Sequence, residues 1–203
     1  MIISESIILA LIGFAGVCVT SLGTLWLKNK LENNKKDVHE TFLNVIPRIH
    51  DIYTILNKLK SETNAVRVLI LKTENNGGRP KAGCQLKSSV IYEVCDSPLK
   101  PVKDTWQYQV LDEEYVHVMS EMMLDPNKRK EIIREELDPT SILYNVYVAT
   151  NVAKSVIYEI QEREKEYIYI SIIYDTLTPH SPEESDSKRI YINQLRQLFK
   201  QND

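Results

Sequence analysis

The chain has 203 residues, 43% of them apolar and 26% charged, with a formal net charge of −3, which is enough material for one domain with a core of its own. Six Gly, eight Pro and three Cys exclude collagen-like and low-complexity character, a disulfide-built scaffold and a paired zinc ribbon. The mildly acidic balance speaks against a nucleic-acid partner, because affinity for a polyanion grows with clustered Lys and Arg.

The first element is a long apolar run. No charged residue lies between Ser6 and Leu27, and from Ile7 onward the run makes a helix of about 31 Å, the thickness of a bilayer's hydrocarbon core. A buried core helix and a cleaved signal peptide are the alternatives. The first is usually interrupted by a polar face, and the second needs a basic n-region and a shorter apolar stretch, whereas Glu5 is the charge that precedes this one. An uncleaved single-pass anchor fits better. Lys28, Lys30, Lys35 and Lys36 follow the run and no Lys or Arg precedes it, so the positive-inside bias puts the C-terminal bulk in the cytoplasm. Gly16, Thr20 and Gly23 or Thr24 form a small-residue stripe along this helix. Such a stripe suits a homodimer made through the membrane helix and the helix that adjoins it, although Gly and Thr are also simply common in membrane helices. The chain is therefore divided into residues 1–36, anchor and basic flank, and 37–203, a cytoplasmic domain with its connecting helix.

After the charged joint, Phe42, Ile46, Ile49, Ile52 or Tyr53, Leu56 and Leu59 recur at helical spacing. Pro47 lies inside this series and predicts a kink or a later helix start. Ala65 to Leu71 and Ser88 to Val94 read as an antiparallel strand pair. They are joined by a polar tip containing Asn75, Asn76, Gly77 and Gly78, where Asn-Gly-Gly supplies positive-φ residues for the reversal. A short extended piece around Trp106 to Val110 precedes Asp112, which caps a helix burying Tyr115, Val118 or Met119 and Met122. Asp125-Pro126 and Asp138-Pro139 repeat a cap followed by proline and predict two more short helices. The first of these carries Ile132, Ile133 and Leu137, and the second Leu143 to Tyr147. Ser155 to Ile160 and Tyr167 to Tyr174 form a second antiparallel pair around the solvated run Glu162 to Glu166. The last of these strands is apolar on both faces, as a central strand is. Ser181-Pro182-Glu183-Glu184 opens a closing helix with Ile190, Tyr191, Leu195, Leu198 and Phe199 inward. The layout is α+β, a single transmembrane helix followed by an antiparallel sheet flanked by helices.

From about Val45 to Phe199 this order resembles a GAF domain, of the PAS/GAF group, in which terminal helices cover one sheet face and the other carries a pocket. A narrower set of residues, Arg67-Val68, Asn76-Gly77-Gly78, Gly83, Ser88-Ser89 and Tyr92-Glu93, is similar to membrane-anchored GAF-like proteins of tailed phages and bacteria, with Asn75 where their pattern has His. The resemblance implies a sensory, regulatory or interaction module without catalysis of its own, or alternatively a phage-encoded membrane protein acting on the host envelope or in assembly or lysis.

Chemistry is sparse. His39, His50, His117 and His180 stand apart from other metal-ligating side chains, so no metal is expected. Cys84 and Cys95 flank a strand and should stay reduced in a cytoplasmic domain. Pro182 to Asp186 departs from the N-K-x-F-D-E pattern of cyclic-nucleotide-binding GAF domains, and the Cys beside a His that bilin attachment needs is absent. No cofactor is assigned. Arg67 and Glu93 on neighbouring strands can pair as a surface ion pair; if they instead face a pocket, they and Ser89 are the candidates for binding a polar ligand. The tyrosines between Tyr144 and Tyr174 serve as packing or line such a pocket. The partners expected are a lipid bilayer and an unknown small molecule or protein.

Overall fold

The structure is a computed structural model that describes residues 43–75, 84–97, 99–163, 166–177 and 182–200. The apolar run Ser6 to Leu27, its small-residue stripe and the loop residues Asn76, Gly77 and Gly78 lie outside these. No described helix is long and apolar enough to cross a membrane. The chain divides into Met1–Ile49 and His50–Asp203; the described part of the first, 43–49, is helical.

The second unit opens with α1 (50–62). There follow β1 (Arg67–Glu74), β2 (Lys87–Cys95), β3 (Gln109–Val110), α2 (Glu113–Leu124), β4 (Arg129–Ile133), α3 (Ile142–Ala149), β5 (Lys154–Glu162), β6 (Glu166–Tyr174) and α4 (Pro182–Lys200). The six strands make one sheet in the order β3-β2-β1-β6-β5-β4. The paired strands are antiparallel throughout.

Strand β6 lies between β1 and β5, with Ile170 opposite both Ile70 and Tyr158. Its near-continuous apolar sequence is what a strand covered on both faces requires. Ile168, Ile170, Ile172 and Tyr174 point to one face, where Ile52, Leu56 and Leu59 of α1 and Ile192, Leu195 and Phe199 of α4 pack. Tyr167, Tyr169 and Ile173 point to the other, where they meet Val118, Met119 and Met122 of α2 and Leu143 and Tyr147 of α3. The strand alternation of period two thus builds two cores from one sheet.

Four local expectations are corrected. Residues 129–133 are the edge strand β4 and not a helix, so Ile132 and Ile133 sit on a strand paired with Ser155 and Lys154. The Asp125 carboxylate accepts from the backbone of Asn127 at 2.8 Å, closing an Asx turn, and Lys128 at φ +54° turns the chain back against β5. Asp138 likewise accepts from Thr140, and α3 starts three residues later on Ser141, whose hydroxyl accepts from the Tyr144 N–H at 3.0 Å. Pro47 lies within a run of helical residues and does not start one. In α4 Leu195 and Phe199 are buried and Tyr191 and Leu198 pack against the core as expected, but Ile192 is buried in addition and Ile190 is 54% exposed.

Asp112 both caps α2, accepting from Tyr115 N–H at 2.9 Å, and accepts from Ile142 N–H at 2.8 Å. One carboxylate therefore ties the starts of α2 and α3 together, where it also faces the positive ends of both helix dipoles. This fixes the two helices over the sheet with a space between them and the strands.

Candidate functional site

That space is a cavity of about 310 Å³ on the face opposite α1 and α4. Leu69, Leu71, Ile157, Ser171 and Ile173 make its floor, Leu143, Val146 and Tyr147 of α3 one wall, and Val102, Thr105 and Trp106 its roof. Among its described lining residues there is no Asp, Glu, His, Cys or Lys, so the cavity holds no paired acid and base of the kind proton transfer needs. No group of three potential metal ligands occurs among the described residues.

The roof is held by the Arg67 and Glu93 pair. Arg67 Nε is 3.2 Å from Glu93 Oε1, and the two side chains are 5% and 4% exposed. The pair is therefore buried rather than a surface one. Glu93 also accepts from the backbone N–H of Val102 at 2.9 Å and of Lys103 at 2.7 Å, while Arg67 Nη2 donates to the Lys100 carbonyl at 2.8 Å. A carboxylate buried with a cation and backbone donors has its lone pairs satisfied. Arg67 lines the cavity; Glu93 is not among the lining residues. Ser89 stands apart: its Oγ accepts from Tyr108 N–H at 2.8 Å. Tyr108 is in the left-handed region at φ +54°, where a bulky side chain costs about 1–3 kcal/mol, and the Ser89 bond helps hold it there. Asn75 ends the described part of the first hairpin.

Tyrosines set the polarity of the far end. Tyr169, on the central strand, shares hydrogen bonds with Ser88 Oγ at 2.9 Å and with Tyr115 OH at 2.5 Å, and Tyr147 OH is bonded to Ser155 Oγ. Tyr115 and Tyr147 line the cavity. Burial pushes all three phenols above the ordinary tyrosine value, because the low-dielectric surroundings disfavour phenolate. They are neutral hydrogen-bonding groups, not bases. A raised phenol stabilises the fold fully below the unfolded value of about 10 and loses that contribution as pH climbs above it. We expect Tyr115, Tyr147 and Tyr169 to ionise only with loss of the fold, seen as phenolate absorbance rising together with loss of near-ultraviolet circular dichroism. Reversible ionisation of all tyrosines with the dichroism intact would contradict their burial.

The sequence placed Arg67 and Glu93 beside each other but did not show the roof that buries them. The one available signal was Trp106, an aromatic close to Pro101 and outside any periodic segment, whose area has to be covered by something. A second, larger and more polar groove between β5 and α4 is lined by Arg129, Arg189, Arg196 and Lys200; Arg196 is already engaged with the Glu159 carbonyl at 3.0 Å.

No family model matches the chain, and no curated protein does. Among solved structures it is similar to a far-red cyanobacteriochrome photoreceptor of cyanobacteria, with TM-score 0.54 and 16% identity over 84% of this chain and 98% of that one. It is also similar to the GAF domain of a two-component sensor histidine kinase from Bacillus halodurans, with TM-score 0.51 and 12% identity over 75% and 93%. At such identity the likeness is one of fold. Sheet order, the covered and hollow faces and these two likenesses together make this an α+β domain of GAF-like fold.

Proposed function

We propose that the chain is a sensory or regulatory module, without catalysis of its own, whose domain takes up a small, largely apolar molecule between the sheet and α2 and α3. The supporting observation is the cavity of about 310 Å³, within the size range of small-molecule sites and apolar except for a few placed polar groups. An open volume of this kind favours sensing over a scaffold role on a phage host's envelope, for which a filled sheet face suffices. The fold is shared with a photoreceptor and a sensor-kinase domain, which is an analogy of architecture and not of ligand.

The strands offer a route for a signal. Leu69 and Ile173 face the cavity while their neighbours Ile70 and Ile172 face α1 and α4. A ligand that prefers one arrangement of the floor therefore biases the packing of the terminal helices through the same strands. In this reading Ser6 to Leu27 anchors the protein, the domain is cytoplasmic, and pairing of two copies through the membrane helix and the adjoining helix carries the signal onward.

The test is carried out on the full chain in lipid nanodiscs with isoleucine methyl labels. Isopropylcyclohexane, an apolar probe, should shift the Ile157 and Ile173 methyl resonances, and Val146→Trp, which fills the space from α3, should abolish the shift. Unchanged methyl resonances up to the solubility of the probe overturn the cavity reading. Recovery of the full-length protein in the soluble fraction without detergent overturns the anchor.

A further inference from the structure

We infer that the molecule held in the cavity is neutral and carries one hydrogen-bond-accepting oxygen, a ketone, ester or amide carbonyl, received by Ser171 and Arg67. This rests on the reading of the cavity as a ligand site. Ser171 is 8% exposed and its hydroxyl makes no hydrogen bond among the described residues, yet it lines the cavity from the central strand. It is the polar side chain between Tyr169 and Ile173 on that face of β6. Arg67 is 4% exposed. Its Nη2 donates to the Lys100 carbonyl, while its Nε, although 3.2 Å from Glu93 Oε1, is a buried donor without a hydrogen-bond partner among the described residues.

The two groups are within one ligand oxygen's compass. Leu69 is opposite Ser171 and Arg67 opposite Ile173, so Arg67 and Ser171 lie one diagonal step apart on the same face, a spacing that a long side chain covers. Arg67 Nε is a buried donor with no acceptor, which is costly, and a ligand that supplies one recovers that cost.

Charge selects among acceptors. Glu93 already neutralises Arg67 and draws on the Val102 and Lys103 amides. The end of the cavity is polar but carries no net charge, and Tyr115 and Tyr147 are held neutral by burial. A carboxylate or phosphate would enter as an uncompensated charge in a low-dielectric space next to Glu93. A hydrocarbon would leave both donors bare. A carbonyl avoids both costs.

Three probes of one shape separate these cases: cyclohexyl methyl ketone, cyclohexanecarboxylate and isopropylcyclohexane, each titrated at neutral pH into the methyl-labelled full chain in nanodiscs. The ketone should bind about tenfold more tightly than either of the others, the size of one net hydrogen bond. Ser171→Ala, a small change on a strand already formed, should cut that advantage to about threefold or less while leaving isopropylcyclohexane unchanged. Equal affinity for ketone and hydrocarbon, tightest binding of the carboxylate, or an equal loss of both neutral probes in Ser171→Ala overturns the inference and leaves the cavity reading standing. If none of the three moves the Ile157 and Ile173 resonances, the cavity reading falls and the inference with it.

Discussion

Glu93→Ala should cost the domain about 3–5 kcal/mol, the range found when one member of a buried ion pair is removed. The substitution leaves the Arg67 guanidinium, 5% exposed, without its carboxylate. It also strips the acceptor from the Val102 and Lys103 amides, which now close the roof on Glu93. Two measurements check this: the urea midpoint of the full chain, and hydrogen exchange at Val102 and Lys103, which should accelerate relative to the Leu69 and Ile170 amides of the sheet. Glu93→Gln keeps one oxygen acceptor and should lose less. The paired change Arg67→Met with Glu93→Leu removes the stranded charge but not the orphaned amides, so it should recover only part of the loss. A loss below about 1 kcal/mol in Glu93→Ala, with exchange unchanged, is the behaviour of a solvent-screened surface pair and would contradict the buried clamp.

How far the sequence carried is clearest at the strands. Val68-Leu69-Ile70-Leu71 and Ile168 to Ile173 are rich in apolar and β-branched residues and lack a polar face, and both became inner strands, together the central pair of the sheet. Local signals failed where one motif serves two structures. Asp followed by Pro starts a helix when later residues continue it, but at Asp125 the left-handed Lys128 and the free edge of β5 drew residues 129–133 into a strand. The site shows the same limit. Register alone puts Leu69 opposite Glu93 and Arg67 opposite Cys95, so the pairing of Arg67 and Glu93 is legible from two strands. Their burial depends on residues 99–106, which have no period to read, and on α2 and α3, whose joint anchoring on Asp112 links positions 30 apart in sequence.

The closing helix provides the second large effect. Leu195 is fully buried on the face where Ile192 and Phe199 meet Val156, Ile160, Ile170 and Ile172. Leu195→Ala should therefore cost about 2–5 kcal/mol, the loss of transfer free energy plus that of a cavity which rigid strands cannot collapse. Ile190, expected inward, lies on the other side of the helix from Leu195 and is 54% exposed, and Ile190→Ala should stay within about 0.5 kcal/mol. The contrast is a direct test of the helix phase, because α4 is fixed in rotation by Arg196, whose Nε donates to the Glu159 carbonyl at 3.0 Å, and by Phe199, whose carbonyl accepts from Arg163 at 3.1 Å. Comparable costs at the two positions in urea unfolding of the full chain would mean that the helix is turned by about 100° per residue of error. Leu195→Ala also bears on signalling. It loosens the face opposite the cavity while leaving Leu69, Ser171 and Ile173 in place, so a change in ligand affinity reports the coupling of the cavity to α4, which by linkage runs both ways.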